Sequence, residues 1–148
     1  MHAYAKVYLK EIVETQGKLF EEIDEYEPGI DVRFFINNYM GSKTRGYIDC
    51  GQAYVCTLNA EELWNYFRKT DNFEPIYGNA VGGFAINWIG QFYAYFQWYY
   101  NISSKKVLEL IPLDFIYTAY SGLHDLELDL AVKKVGGQVV KQKNSMLS

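Results

Sequence analysis

Two histidines, two cysteines and a run of carboxylates are the side chains of this sequence with the most obvious chemical potential. His124 is followed directly by Asp125, and a histidine next to a carboxylate offers the parts of a general base. Neighbouring positions on a helix face different directions, so adjacency alone makes no dyad. The competing reading is a histidine at a helix end that bonds backbone carbonyls. His2 stands beside the terminus, where chain ends are usually mobile and catalysis is hard to position. Zinc wants four clustered ligands, and Cys50, Cys56 and two distant histidines do not supply them. Two cysteines also make no disulfide framework, so they read as reduced thiols. The stretch Gly78-Asn79-Ala80-Val81-Gly82-Gly83 precedes a helix, whose N-terminus could receive phosphate. It lacks both the lysine-threonine pair and the preceding strand of a nucleotide fingerprint, and reads as a pliant connector. Glu21, Glu22, Asp24, Glu25 and Glu27 could form an acid site, although such a run on a helix is usually a solvated face. No catalytic, metal or cofactor residue is assigned.

Composition turns attention from reaction to contact. The chain has 148 residues, 14 basic and 18 acidic side chains and a net charge of −4. Its pI near 5.2 disfavours a nucleic-acid reader, which shows a basic patch or stripe. Apolar residues make up 49% and charged ones 22%, so a packed domain rather than disorder is expected. Aromatic residues reach 18%, with 14 Tyr, 9 Phe and 3 Trp. Tyrosine suits interfaces because it offers a rigid ring with a polar end, and it suits the border of a core equally well. Together with Glu109, Asp125, Glu127 and Asp129, the carboxylate run makes an acidic exterior able to steer a basic protein.

The elements that must hold these groups read as helices. Apolar residues Ala5, Tyr8, Leu9, Ile12, Leu19, Phe20 and Ile23 recur at helical spacing from Ala3 to Tyr26, and Glu27-Pro28-Gly29 stops the run. Asp31 caps a second helix with Phe34, Phe35 and Tyr39. Between Gly41 and Thr57, Tyr47-Ile48 and Tyr54-Val55-Cys56 are β-favouring pieces, fitting a small hairpin or an irregular loop. Asn59 and Glu62 have capping-box spacing and open a helix to about Lys69. From Pro75 to Ser104 there is no charge, yet Asn87, Gln91 and Gln97 interrupt the apolar run, so Phe84 to Tyr100 reads as a buried central helix and not a membrane span. Its rings sweep roughly 200° of arc, leaving Gly90 and Ala94 where another backbone could come close. Ser103 caps the next helix, Pro112 opens another that breaks at Ser121-Gly122, and Asp125 caps a last one ending at Gly136-Gly137.

Certain segments resemble a family of small bacterial proteins. These are the opening Met1-His2-Ala3-Tyr4 with Val7-Tyr8-Leu9, the block from Trp88 to Tyr99, Ile111-Pro112-Leu113, and Tyr120-Ser121-Gly122-Leu123-His124. Members of that family are encoded beside proteins resembling ADP-ribosyltransferase-like toxins. The resemblance therefore implies an antitoxin-like protein whose partner is an ADP-ribosyltransferase-like toxin, and it carries over no catalytic residue.

The expectation is a mainly α protein: five to seven helices around the aromatic helix 84–100, with at most a small hairpin near 47–56. Residues 1–136 would form one domain and 137–148 a flexible polar tail. Function is read as non-enzymatic protein binding by steric masking, in the cytoplasm because no signal-peptide pattern opens the chain. The alternative is a small enzyme or ligand-binding protein with a pocket near His124 and Asp125, and the third reading is a self-associating homo-oligomer. Candidate interaction or pocket residues are Trp88, Tyr95, Trp98, Tyr99, Tyr120, His124 and Asp125.

Overall fold

The computed structural model describes residues 2–78 and 84–147, without the side chains of Phe84 and residues 140–147. Among the described residues there are nine helices and no strand. They are α1 (Lys6–Tyr26), α2 (Val32–Met40), α3 (Lys43–Asp49), α4 (Ala53–Cys56), α5 (Ala60–Thr70), α6 (Phe84–Tyr100), α7 (Ser104–Leu110), α8 (Leu113–Leu123) and α9 (Leu128–Leu147). A mainly helical bundle is thus the architecture, and its centre is α6. The residues Ile86, Ile89, Phe92, Tyr93, Ala94, Phe96, Gln97 and Trp98 of α6 are all buried.

The packing of α6 on α1 is set by two glycines. A Cβ on Gly90 would lie 2.7 Å from the Gln16 carbonyl oxygen, and one on Gly17 would lie 2.7 Å from that of Asn87. The two backbones therefore touch where neither helix carries a side chain. Asn87 donates to Glu21 at 2.7 Å, while Ala94 and Trp98 pack with Leu9 and Val13, so the helices run antiparallel. On the far side of α1, Phe35 is fully buried with its ring 5.5 to 6.2 Å from those of Phe20, Tyr39, Trp64, Phe67 and Phe73. That cluster ties α2 and α5 to α1. Four of these pairs are edge-to-face and Phe35–Tyr39 is stacked, and ring pairs of either kind add about 0.5–1.5 kcal/mol beyond area burial.

Local signals explain most of the boundaries. Asp31 caps α2 by accepting from Phe34 N–H at 2.9 Å, Ser103 caps α7, and Asn59 with Glu62 closes a full capping box on α5. Two differences from the sequence reading stand out. Residues 47–56 hold neither a hairpin nor an irregular loop. Ser42 and Gln52 cap two short helices, and the β-favouring pieces each turn one residue inward, Ile48 and Val55. Tertiary burial of those residues overrides local preference, and the two extra helices account for nine instead of seven. The second difference lies at the end of the chain: α8 continues through Ser121-Gly122, and α9 starts at Leu128, not at an Asp125 cap, and continues past Gly136-Gly137. Gly136 is a packing residue, because a Cβ there would overlap the Tyr100 phenol on α6.

Candidate functional site

The most unusual side chain in the interior is Arg45 on α3, only 1% exposed. Its charge is met by Asp49 one turn on, with Nε 3.4 Å from Oδ1. Arg45 Nε also donates to Ser104 Oγ at 2.6 Å, and Ser104 answers Asp49 twice, through Oγ–H and through its backbone N–H, each at 2.7 Å. Burial works against the guanidinium charge, but Asp49, Tyr39 and Tyr4 more than offset it and hold its pKa above the usual arginine value. Tyr39 donates to Gln16 at 2.7 Å. Burial raises the Tyr39 and Tyr4 phenols to about 12 despite the nearby guanidinium. Burial likewise raises the Cys56 thiol, against the pull of Arg45, so this cysteine stays a protonated thiol and is no activated nucleophile. Arg45 Nη2 and the Tyr4 hydroxyl are buried with no hydrogen-bond partner. This ion-paired centre links α3 to α7 and holds the groups around it in place. Composition did not single it out, although Arg45 and Asp49 at i, i+4 behind the Ser42 cap form a readable pair.

The sequence-predicted residues fall into two groups at opposite ends of α6. Near its start, Trp88 meets Tyr120 of α8 edge-on at 5.5 Å, and the Tyr120 ring stacks on His124 at 4.7 Å. His124 Nδ1 lies 2.9 Å from the Tyr120 carbonyl oxygen, and Nε2 lies 3.2 Å from Asp125 Oδ1. The Asp125 side chain is 89% exposed, so this pair stands in open water where a carboxylate orients its neighbour poorly. Near the end of α6, Tyr95, Trp98 and Tyr99 line an open cleft of about 630 Å³ together with the chain's first residues and the start of α9. His124 and Asp125 are not among the residues lining this cleft, which lies at the other end of α6.

Beside Tyr95, Trp98 and Tyr99, the cleft is completed by His2, Lys6, Asp129 and Lys133, which the sequence did not place there. His2 is tied down despite its place near the terminus: its ring stacks on Trp98 with centroids 3.7 Å apart, and Nδ1 is 2.7 Å from the Trp98 carbonyl oxygen. The Trp98 indole N–H in turn donates to the Tyr4 carbonyl at 2.8 Å. Across the cleft the Lys133 ammonium sits 5.6 Å from the centre of the Tyr99 ring and 3.7 Å from Asp129.

A third feature is on the surface, where α1 ends. Tyr26 donates to Glu22 at 2.5 Å and Tyr77, 62% exposed, donates to Glu27 at 2.5 Å. Both phenols are raised, Tyr26 by burial and then its Glu22 bond, Tyr77 by its Glu27 bond and then burial, with further carboxylates adding to each. Arg68, paired with Glu27 at 3.7 Å, works the other way on Tyr77 without reversing its shift. No group of three or more metal-binding side chains occurs among the described residues. The phosphate-loop reading of Gly78 to Gly83 falls almost wholly outside the described residues. Neither Cys50 nor Cys56 is in a disulfide, and no helix of the described residues is long and apolar enough to cross a membrane. Compared with protein-family models, with curated proteins and with solved structures, the chain matches none.

Proposed function

We propose that this chain is a non-enzymatic protein-binding module, an antitoxin-like or regulatory partner of a toxin encoded nearby, that acts by steric masking. The observation that carries the reading is the face at the end of α1, where Tyr26 and Tyr77 are each fixed on a glutamate. Tyr77 is exposed and Tyr26 is partly buried against the core, and hydrogen bonds that hold such rings before binding lower the ordering cost of association. Glu25 and Glu61 lie close enough to act on Tyr26, and Glu74 on Tyr77; Arg68, 3.7 Å from Glu27, offsets part of this charge, and the glutamates outnumber it, so the face is acidic as well as aromatic. Aromatic anchors within a charged rim describe a hot-spot interface, and the sign of the rim selects a basic partner surface. The toxin class comes from the sequence resemblance, and the unpaired Cys50 and Cys56 support a reducing, cytoplasmic setting.

The test is co-expression with the product of the adjacent gene, followed by purification and mass measurement. A stoichiometric complex is expected, and Tyr77→Ala should weaken it at least tenfold with the melting temperature unchanged, as a truncated anchor does. A protein that elutes alone, or only as a homo-oligomer, sinks the proposal.

A further inference from the structure

The cleft at the end of α6 has a charge unlike that of the chain around it. Lys6 and Lys133 line it against the single carboxylate of Asp129, although the whole chain carries −4. Its volume of about 630 Å³ is within the range that takes a small molecule. The surfaces it offers are ring faces and ammonium groups. His2 and Trp98 form a two-ring platform, and their hydrogen bonds to the Trp98 and Tyr4 carbonyls fix both rings in place. Tyr99 makes a further face, 37% exposed, over which Lys133 is already poised.

We propose that this cleft binds a small planar anion, whose ring lies against His2 and Tyr99 and whose phosphate or carboxylate meets Lys6 and Lys133. Rings and cations together select for that combination. A neutral ring would gain stacking but no contact with the ammonium groups, of which only Lys133 has a carboxylate beside it, and a bare anion would gain no ring contact. Asp129 sets a limit on the charge, because it already holds Lys133 at 3.7 Å and disfavours a highly charged ligand. Nucleoside monophosphates and aromatic carboxylates share the required chemistry. The site is separate from the tyrosine face at the end of α1, and the proposal does not depend on protein binding there.

The experiment is a titration of the full chain with AMP, 4-hydroxybenzoate, adenosine and inorganic phosphate, read from the NMR shift of the Trp98 indole N–H. At least one of the two aromatic anions is expected to saturate with a Kd of about 1 mM or tighter, and which one does so identifies the source. Adenosine and phosphate should bind roughly tenfold more weakly or worse, as loss of a charge-assisted contact or of stacking requires. Lys133→Gln and His2→Ala should each weaken the anion roughly tenfold, whereas Lys134→Gln, at the next exposed position of α9, should leave it unchanged. Absence of a saturable shift with both anions would overturn the proposal. So would equal binding of adenosine, or an affinity indifferent to Lys133→Gln. Protein-complex formation is measured without any added small molecule, so failure of one proposal is distinguishable from failure of the other.

Discussion

The Arg45 centre and the His2–Trp98 cleft both combine cations with tyrosines, yet they do opposite things with them. At Arg45 the charge is buried and met by Asp49 and Ser104, inside packed helices. At the cleft, Lys6 and Lys133 line an open volume with ring faces alongside. A buried ion pair is costly to break because the remaining charge is left desolvated, while an exposed lysine keeps its water and contributes little to stability. The difference teaches that burial decides whether a charge serves the fold or stays available to a ligand.

The sharpest way to break this comparison is Arg45→Ala, which leaves the largely covered Asp49 and the buried Ser104 without their cation. The expected loss is about 3–5 kcal/mol, on the order of 10 °C or more in melting temperature for a chain of this size. Thermal unfolding followed by circular dichroism would read it. The double variant Arg45→Met with Asp49→Leu removes both charges and should recover most of the loss. If the double variant is as unstable as Arg45→Ala, the cost belongs to lost packing and not to the stranded carboxylate.

Alkaline pH loosens the same region without a mutation. Tyr39 ionises near pH 10 in the unfolded chain and at about 12 in the fold, because burial disfavours the phenolate. Above pH 10 the unfolded chain releases a proton that the native protein keeps. The Tyr39 contribution is therefore complete below pH 10 and is lost as pH rises toward 12. A difference of that size corresponds to about 3 kcal/mol from this one group. Denaturant midpoints measured from pH 9 to 12 should fall steeply. Tyr39→Phe should flatten the decline, because phenylalanine has no proton to release.

Gly90→Ala tests the contact between α1 and α6. The new Cβ would press on the backbone of Gln16 and Gly17, which cannot swing aside as a side chain can. Overpacking of this kind costs about 1–3 kcal/mol, and chemical denaturation would measure it. The close approach at Gly90 was legible in the sequence because it fell outside the ring-bearing arc of α6. Other features were legible for similar reasons: Asp31, Asn59 and Ser103 accept from backbone N–H groups three residues on, and Glu62 from one three residues back. Residues 47–56 were not legible, since Ile48 and Val55 are turned inward by contacts with distant helices. Gly136 looked like a breaker because its reason for being glycine, the Tyr100 phenol, lies 36 positions away in the chain. The cleft was half legible. Tyr95, Trp98 and Tyr99 stand out in any reading of α6, but His2 and Lys133 reach them only through the fold.

The smallest effect is expected at the pair that looked most like an active site. His124 closes α8 through the Tyr120 carbonyl and stacks on the Tyr120 ring, while Asp125 points into solvent. A half-exposed histidine with one backbone bond and one stacked ring is worth on the order of 1 kcal/mol, far below the cost at Arg45. His124→Ala should therefore lower the melting temperature by a few degrees and leave Tyr77-dependent complex formation unchanged. It should also leave anion binding in the cleft unchanged, because that volume lies at the other end of α6. The opposite pattern, intact stability with loss of a measured activity, would make His124 a chemical group after all. It would place a functional centre at the beginning of α6, where neither proposal puts one.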